Sequence, residues 1–457
     1  MKHSSHLSKM VTPLAGSVAG LIAALAFVSA GLAPEAQAES KARSASPAKD
    51  PPKAEAPAAP RSADESLRVG LEYLIKQQQS DGGWGQGGGW RQSREQGGGR
   101  VEGANVEDPP DLGNTSVSLV TLLRASQEGQ REAIRKAFEF ICRQVEGADE
   151  ASLYVTAVRD TQLQVKIGVY VDTFLAGWAL SELKGRFADD DAAEKRRAAA
   201  LDKVVSKIER NQRADGSFDG NKGWAAVLSQ GLCSKALNSA ARSGAKVSTD
   251  ALAKDQRQNL DGLDVARGDF SATTGASEPS SAGVSLYREA SKLGGLRERA
   301  KSNVPRKAEA EKTLADASAP APAKAKAREE IKQIAGDEQA AQVAQTAVAG
   351  KLGDSRYVAG FGNNGGEEFL SYLNLGESMH EQGGKAWEDW KGKMQATLCS
   401  AQNEDGSWAG QHCITGRTFC TSAALLTLLV ERVPAGAAIG SVDSGKTVPV
   451  ATAATTR

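Results

Sequence analysis

Three stretches of the chain follow one pattern, Gln-x-x-Asp-Gly-x-aromatic: Gln78 to Trp84, Gln212 to Phe218 and Gln402 to Trp408. Each closes a segment of helical periodicity, so each reads as a helix stop followed by a restart. A short unit recurring at long, unequal spacing means that one supersecondary unit is used several times, and this constrains the fold before any other property does. Gly82, Gly216 and Gly406 can take positive φ, and Asp81, Asp215 and Asp405 can bond the backbone two residues on, which makes each Asp-Gly a turn. Trp84, Phe218 and Trp408 have large apolar rings to bury and are expected to pack back on the hairpin they close. Gln78, Gln212 and Gln402 are placed to reach free backbone groups of a neighbouring helix end.

Periodicity around these units predicts helical hairpins. The outer helices are expected at 66–79, 131–144 and 192–211, and their inner partners at 114–126, 171–183 and 224–241. From 244 to 350 the pattern fails: the segment is rich in Ala, Lys, Glu and Ser, includes Ala319-Pro320-Ala321-Pro322, and reads as a mobile low-complexity insertion with some helix. Within it, Val284 to Leu296 is assigned as a fourth outer helix with Glu367 to Glu381 as its inner partner, and a fifth hairpin joins 387–402 to 417–432. The expected fold is all-α, a ring of about five hairpins with charged outer helices and small, apolar inner ones.

The flanks carry a different signal. Lys2 and Lys9, the apolar run Leu21 to Val28 and Ala36-Gln37-Ala38 make a secretory signal cleaved after Ala38, the alternative being an uncleaved anchor over Val11 to Ala33. The expected location is secreted or periplasmic. The organisation then reads 1–38 signal, 39–62 disordered spacer, 63–243 hairpins one to three, 244–350 insertion, 351–433 hairpins four and five, and 434–457 disordered tail. Lys plus Arg and Asp plus Glu are 56 each, so no net charge steers the chain to nucleic acid, and membrane contact would come only through the signal segment. The five cysteines are an odd count for an exported chain: Cys142 and Cys233 read as buried thiols, and one disulfide among Cys399, Cys413 and Cys420 is expected, with its pairing open.

The Gln-Asp-Gly-aromatic unit resembles the Gln-Trp repeat of squalene-hopene cyclases and related terpenoid cyclases, whose fold is shared with protein prenyltransferase β subunits. The resemblance covers most of residues 66 to 432 and implies an α/α toroid, its inner helices facing a cavity. It also implies chemistry that the residues do not supply. The cyclases' Asp-x-Asp-Asp acid has only Asp189-Asp190-Asp191 as a counterpart, which lies where a helix begins and reads as capping. Asp190, Asp191 and Glu194 can also be spelled as a diphosphate and magnesium pattern, in an exposed setting. For the prenyltransferases' zinc ligands the available set would be His412, Cys413, Cys420 and Glu368, none in the family's motif context. No metal or cofactor is expected.

Two loops carry the candidate site. Tyr357 to Gly366, with Asn363 and Asn364, leads into Glu368 at the start of an inner helix, and Gln411 to Arg417 brings His412 and Arg417 to the start of the last one. Asp172, at the start of another inner helix, completes the set. Ten Phe, seven Trp and six Tyr are few for a carbocation-stabilising cavity. The chain therefore reads as a toroid that binds a ligand or envelope partner without cyclase chemistry. The alternatives are an enzyme acting on an isoprenoid or polysaccharide and a scaffold tethered by low-complexity arms.

Overall fold

A computed structural model describes residues 60–91, 99–103, 105–127, 129–271, 280–362 and 364–432. The expected signal segment, the spacer up to residue 59 and the tail from 434 lie outside these residues, as does Asn363. No helix among the described residues is long and apolar enough to cross a membrane.

Helices dominate, and they form two concentric sets. The inner set is α2 (Leu112–Ala125), α5 (Val171–Glu182), α7 (Val227–Arg242), α9 (Ser285–Ala315), α12 (Gly366–Gln382) and α14 (Arg417–Leu428). Each packs on the next, and α14 packs on α2, so the set closes into a ring. The outer set is α1 (Ala63–Lys76), α3 (Arg131–Gly147), α6 (Asp191–Asn211), α8 (Thr249–Leu260), α10 (Ala321–Ala349) and α13 (Gly384–Ala401), each lying against one or two inner helices. The short helices α4 (Gln162–Ile167) and α11 (Ser355–Ala359) and two small antiparallel ribbons sit in the connections. The ribbons are β1 (Gly89–Arg91) with β2 (Gly99–Val101), in register Trp90 to Arg100, and β3 (Leu263–Asp264) with β4 (Asp269–Phe270). The fold is an all-α toroid.

Residue type explains the two rings. Every residue of α2 except Arg124 is buried, and its Asn, Thr and Ser side chains let neighbouring helices approach closely: Ser118 Oγ lies 3.3 Å from Ser422 Oγ on α14. By contrast, α3 buries Ala133, Ala137, Phe138, Ile141 and Val145 on one stripe and turns its charges outward.

The repeat units stop the outer helices as their chemistry requires. Gly82, Gly216 and Gly406 hold φ of 94°, 91° and 89°, and each backbone presses on a carbonyl of the next outer helix, where a Cβ would come within 2.5 Å of Lys136, Lys254 or Val69 oxygen. Gln78 Nε2 donates to Ala133 O at 2.9 Å, and Gln402 Nε2 to Ser66 O at 2.9 Å. The second of these contacts closes the ring, because Ser66 belongs to the first helix. Trp84 Nε1 donates to Leu74 O at 2.7 Å and Trp408 Nε1 to Leu398 O at 2.8 Å, the same bond ten residues back in each copy.

The ring contains six inner helices among the described residues, where five hairpins were expected. The additional members come from 249–349. Val284 to Leu296, expected on the outside, begins the inner helix α9, and α8 and α10 flank it. It buries charge on several sides: Arg288, Glu289, Lys292, Arg297, Glu298 and Arg299 are all buried. Arg299 Nε and Asn303 Nδ2 donate to Asp337 Oδ2 at 3.1 and 3.0 Å, and Gln256 Nε2 to Asp337 Oδ1 at 3.0 Å. Satisfied polar pairs fill the positions that apolar side chains fill elsewhere, which is why apolar periodicity marks only the segment 284–296 and does not reveal the helix's full length or its place in the inner ring.

All five cysteines are free thiols, so the expected disulfide among Cys399, Cys413 and Cys420 is not formed. Cys420 instead directs Sγ to Ile414 O at 3.5 Å, inside the packing of α14.

Candidate functional site

The two ends of the toroid differ. Inner helices pass to outer ones by short turns, 126–130, 243–248 and 316–320, whereas outer helices pass to inner ones by long segments such as 85–110, 148–170 and 350–365. Long loops on a rigid scaffold are where recognition is commonly built, so the end carrying the N-termini of the inner helices is the candidate functional end.

At the short-turn end the axis is occupied by ion pairs. Glu377 of α12 receives Arg124 of α2 at 2.6 Å, Lys235 of α7 at 2.6 Å and Arg297 of α9 at 2.5 Å. Arg124 also bonds Glu182 of α5 at 2.9 Å, and Arg242 reaches Glu298 at 2.5 Å. Burial alone would raise the Glu377 carboxyl, but Arg297, Lys235 and Arg124 hold it well below the usual carboxylate range. Arg124 and Arg242 sit in the last turns of α2 and α7, where the backbone dipole favours a cation.

At the long-loop end the segments interlock. Gln162, at the start of α4, accepts from the N–H groups of Thr415 and Gly416 at 3.1 and 2.9 Å and donates to Cys413 O at 3.1 Å. Gln86 Oε1 accepts from Gln162 N at 2.9 Å. Asp108 takes the N–H groups of Gln86, Gly87 and Gly88 at 2.7 to 3.0 Å, holding the turn before β1.

Beneath these loops lie buried carboxyls at the starts of inner helices. Asp111 caps α2 through Asn114 N at 2.8 Å, and Asp172 accepts from Gln164 Nε2. Burial raises both carboxyls, and the Asp172 charge raises Asp111 further. Glu367 accepts from Ile414 N at 3.1 Å, and burial pushes its carboxyl up to about 8. Glu368 Oε1 accepts from the Tyr287 hydroxyl and from Phe361 N at 2.8 Å.

Glu368 and His412 are brought together, with Nε2 3.5 Å from Oε2. The ring of His412 stands edge-on to Phe361 at 5.2 Å, Phe361 to Trp224 at 5.1 Å, and Trp224 to Tyr287 at 6.0 Å. Phe361 is 58% exposed, Trp224 is half-buried and the His412 side chain is 19% exposed. Asn364 serves this loop through its backbone, its oxygen accepting from Gln411 N at 2.6 Å.

Arg417 is elsewhere. It donates to Asp405 of the last repeat at 2.7 Å and to Glu102 at 3.2 Å, on a separate cavity of about 240 Å³ lined also by Tyr73, Gln77 and Val106. Asp172 likewise contacts Gln164 and lies beside Gly113, away from the His412 contacts. Asp190 caps α6 through Ala193 N at 3.0 Å and pairs with Arg135 at 3.0 Å, and Asp189 pairs with Arg131 at 2.5 Å. These contacts hold both carboxyls below the usual range. The partners are cations of α3 rather than the following Lys195-Arg196-Arg197, because Arg196 bonds Glu139 and Glu146, and Arg197 bonds Glu194.

Tyr287, Trp224, Phe361 and Glu367 join the site without having been singled out from sequence. Phe361 alone carried a signal: an aromatic between Gly360 and Gly362 has no local side chain to pack on. Among the described residues no group of three or more His, Cys, Asp or Glu side chains has metal-ligating geometry.

No family profile and no curated protein matches the chain. Among solved structures, the type II terpene cyclase MstE from Scytonema, without ligand, is similar at 12% identity and a TM-score of 0.31, over 81% of this chain and 98% of that one. A point variant of the same cyclase gives the same identity and TM-score over 81% and 96%. At that TM-score the likeness carries no argument, and the fold rests on the helix packing itself.

Proposed function

We propose that the protein is a ligand-recognition toroid without terpenoid-cyclase chemistry, and that its binding cleft lies among Trp224, Phe361, His412 and Glu368. The observation that carries this reading is one arrangement: an exposed phenylalanine and a partly exposed histidine stand over a fully buried carboxylate whose Oε2 accepts no hydrogen bond. Exposed large rings and unsatisfied buried polar atoms are both costly, and their coincidence at the long-loop end favours a binding role.

Protonating an alkene requires a strongly acidic, well-oriented carboxylic acid in a dry aromatic cavity. The only run of three acids lies at the start of α6, where its first two members are held ionised. Buried ion pairs centred on Glu377 fill the ring axis at the short-turn end, where a cyclase would need an open, dry cavity. The kinship with squalene-hopene cyclases suggested by the Gln-Trp units is thus read as one of scaffold. In this proposal the chain is exported by its N-terminal segment, works outside the cytoplasm or in the periplasm, and meets an envelope ligand.

The test is a ligand-observed NMR fragment screen of the full chain against Phe361→Ala. Hits lost in the variant are expected, whereas hits that persist unchanged, or none at all, would remove the cleft. Incubation with squalene should yield no cyclised product, and a product abolished by Asp190→Asn would overturn the reading.

A further inference from the structure

The cleft has walls of a particular kind. Tyr287, Trp224, Phe361 and His412 follow one another edge to face, with interplanar angles of 68°, 76° and 72°. The rings pack edge to face in direct contact, and the surface they leave free belongs to the exposed Phe361 and the partly exposed Trp224 and His412, which a small guest can approach from outside. Behind the rings, Glu368 is fully buried. Its Oε1 is occupied by Tyr287 and Phe361 N, whereas Oε2 has no hydrogen-bond donor. His412 Nε2 lies 3.5 Å from Oε2, beyond hydrogen-bonding distance. The fixed cation that the loops might have supplied, Arg417, is committed to Asp405 and Glu102.

A buried negative charge behind aromatic faces favours a positive guest. Ring quadrupoles attract a cation within about 6 Å of the centroid, and this is the chemistry by which proteins hold alkylated ammonium groups. A hard metal ion is poorly served, because it needs several oxygen ligands and only Glu368 Oε2 and Glu367 Oε1 are uncommitted here, with no group of three or more metal-ligating side chains among the described residues. A neutral polyol would leave the charge of Glu368 uncompensated. We infer that the Trp224–Phe361–His412 cleft, with Glu368 behind it, is a binding site for a quaternary or tertiary alkylammonium group. This inference rests on the proposed cleft and adds the chemical class of its guest.

The experiment compares choline with its neutral carbon isostere, the alcohol with a tert-butyl group in place of trimethylammonium, by calorimetric titration of the full chain. Choline should bind saturably and about tenfold or more tighter than the isostere, and more weakly as salt is raised. Glu368→Gln should weaken choline without weakening the isostere. Since Glu368 is buried and its substitution bears on stability as well as binding, Phe361→Ala, at an exposed position, is the second variant and should weaken both ligands while leaving the melting temperature unchanged. Equal affinity for choline and isostere would overturn the cationic guest and leave an apolar cleft standing. Choline binding undiminished in Phe361→Ala would overturn cleft and guest together. Failure of both ligands while the fragment screen still gives Phe361-dependent hits would overturn the guest alone.

Discussion

Trp84 and Trp408 sit in the same environment twice over. Besides the indole bond ten residues back, each donates its backbone N–H to a threonine of the following inner helix, Thr115 at 3.0 Å and Thr421 at 2.9 Å. Both rings are fully buried, so Trp408→Ala should destabilise the protein by about 3–5 kcal/mol, read by denaturant unfolding. An unchanged midpoint would contradict a structural role for the repeat. These anchors were legible in the sequence because turn, ring and glutamine act locally. Gln212 marks the limit: it shares the motif, yet its buried side-chain amide has no hydrogen-bond partner among the described residues, and the Phe218 ring, with no N–H to donate to its helix, packs on Phe174 at 5.3 Å instead. Ionisation was not legible at all, because it depends on burial. Glu367, raised by burial from 4.5 to about 8, and Asp255, raised by burial from 3.8 to about 7, remain protonated in the folded chain where the unfolded chain has ionised. Their contribution is complete below those lower values and is lost as pH rises through about 7 to 8. Glu377 works in the opposite sense: held well below 4.5, it contributes above that value, and the contribution is lost in acid. Melting temperature should therefore peak at mildly acidic pH, and Glu367→Gln should flatten the decline on the alkaline side, as followed by calorimetry across pH.

Hairpins with apolar inner helices were readable as elements, whereas of the charged one only 284–296 was read as helix, and on the wrong ring. In α9, burial is achieved by pairing, so composition alone resembles that of a linker. Asp337 of α10 is the hub, satisfying Arg299, Asn303 and Gln256 together. Asp337→Ala should cost about 3–5 kcal/mol, since it strands a buried guanidinium; an effect as small as that of a surface substitution would show that the network is not formed. A mobile segment over 244–350 would be cleaved first between Ser302 and Lys326. With α9 and α10 in place, cleavage should narrow to the turn at 316–320, and the amides of 288–303 should exchange as slowly as those of α2. One clue was available: Gln258-Asn259-Leu260-Asp261-Gly262 is a fourth copy of the unit, lacking only its aromatic. Gly262 takes φ of 76°, Gln258 Nε2 reaches back to Asp215 O at 2.9 Å, and Lys292 donates to the Gln258 and Asp261 carbonyls. After α3, where the unit has decayed further, lysines take over the glutamine's task, Lys203 donating to Ala148 O at 2.6 Å.

For the molecule as a whole, three repeats were enough to indicate a toroid, because each unit joins one outer helix to the next. The cleft was not foreseeable in the same way: Trp224, Tyr287, Phe361 and His412 come from four different loops or helix starts, and only ring closure makes them neighbours. The closure itself is made between the two ends of the described chain. Arg61 donates to the carbonyls of Asn403 and Glu404 at 2.9 and 2.8 Å, Arg432 meets Asp64 at 3.0 Å, and a Cβ at Gly70 would strike Leu425 and Trp408 at 2.8 and 2.9 Å. During synthesis the nascent arc therefore keeps one flank of its first hairpin waiting for residues more than 330 positions away, as in the Ser66–Gln402 pair. Geometrically the finished ring has neither a first hairpin nor a last, and where the polypeptide is cut is incidental to it. A permuted gene that links residue 432 to residue 60 and opens the chain within 316–320 should yield the same body, with a thermal midpoint close to the parent's.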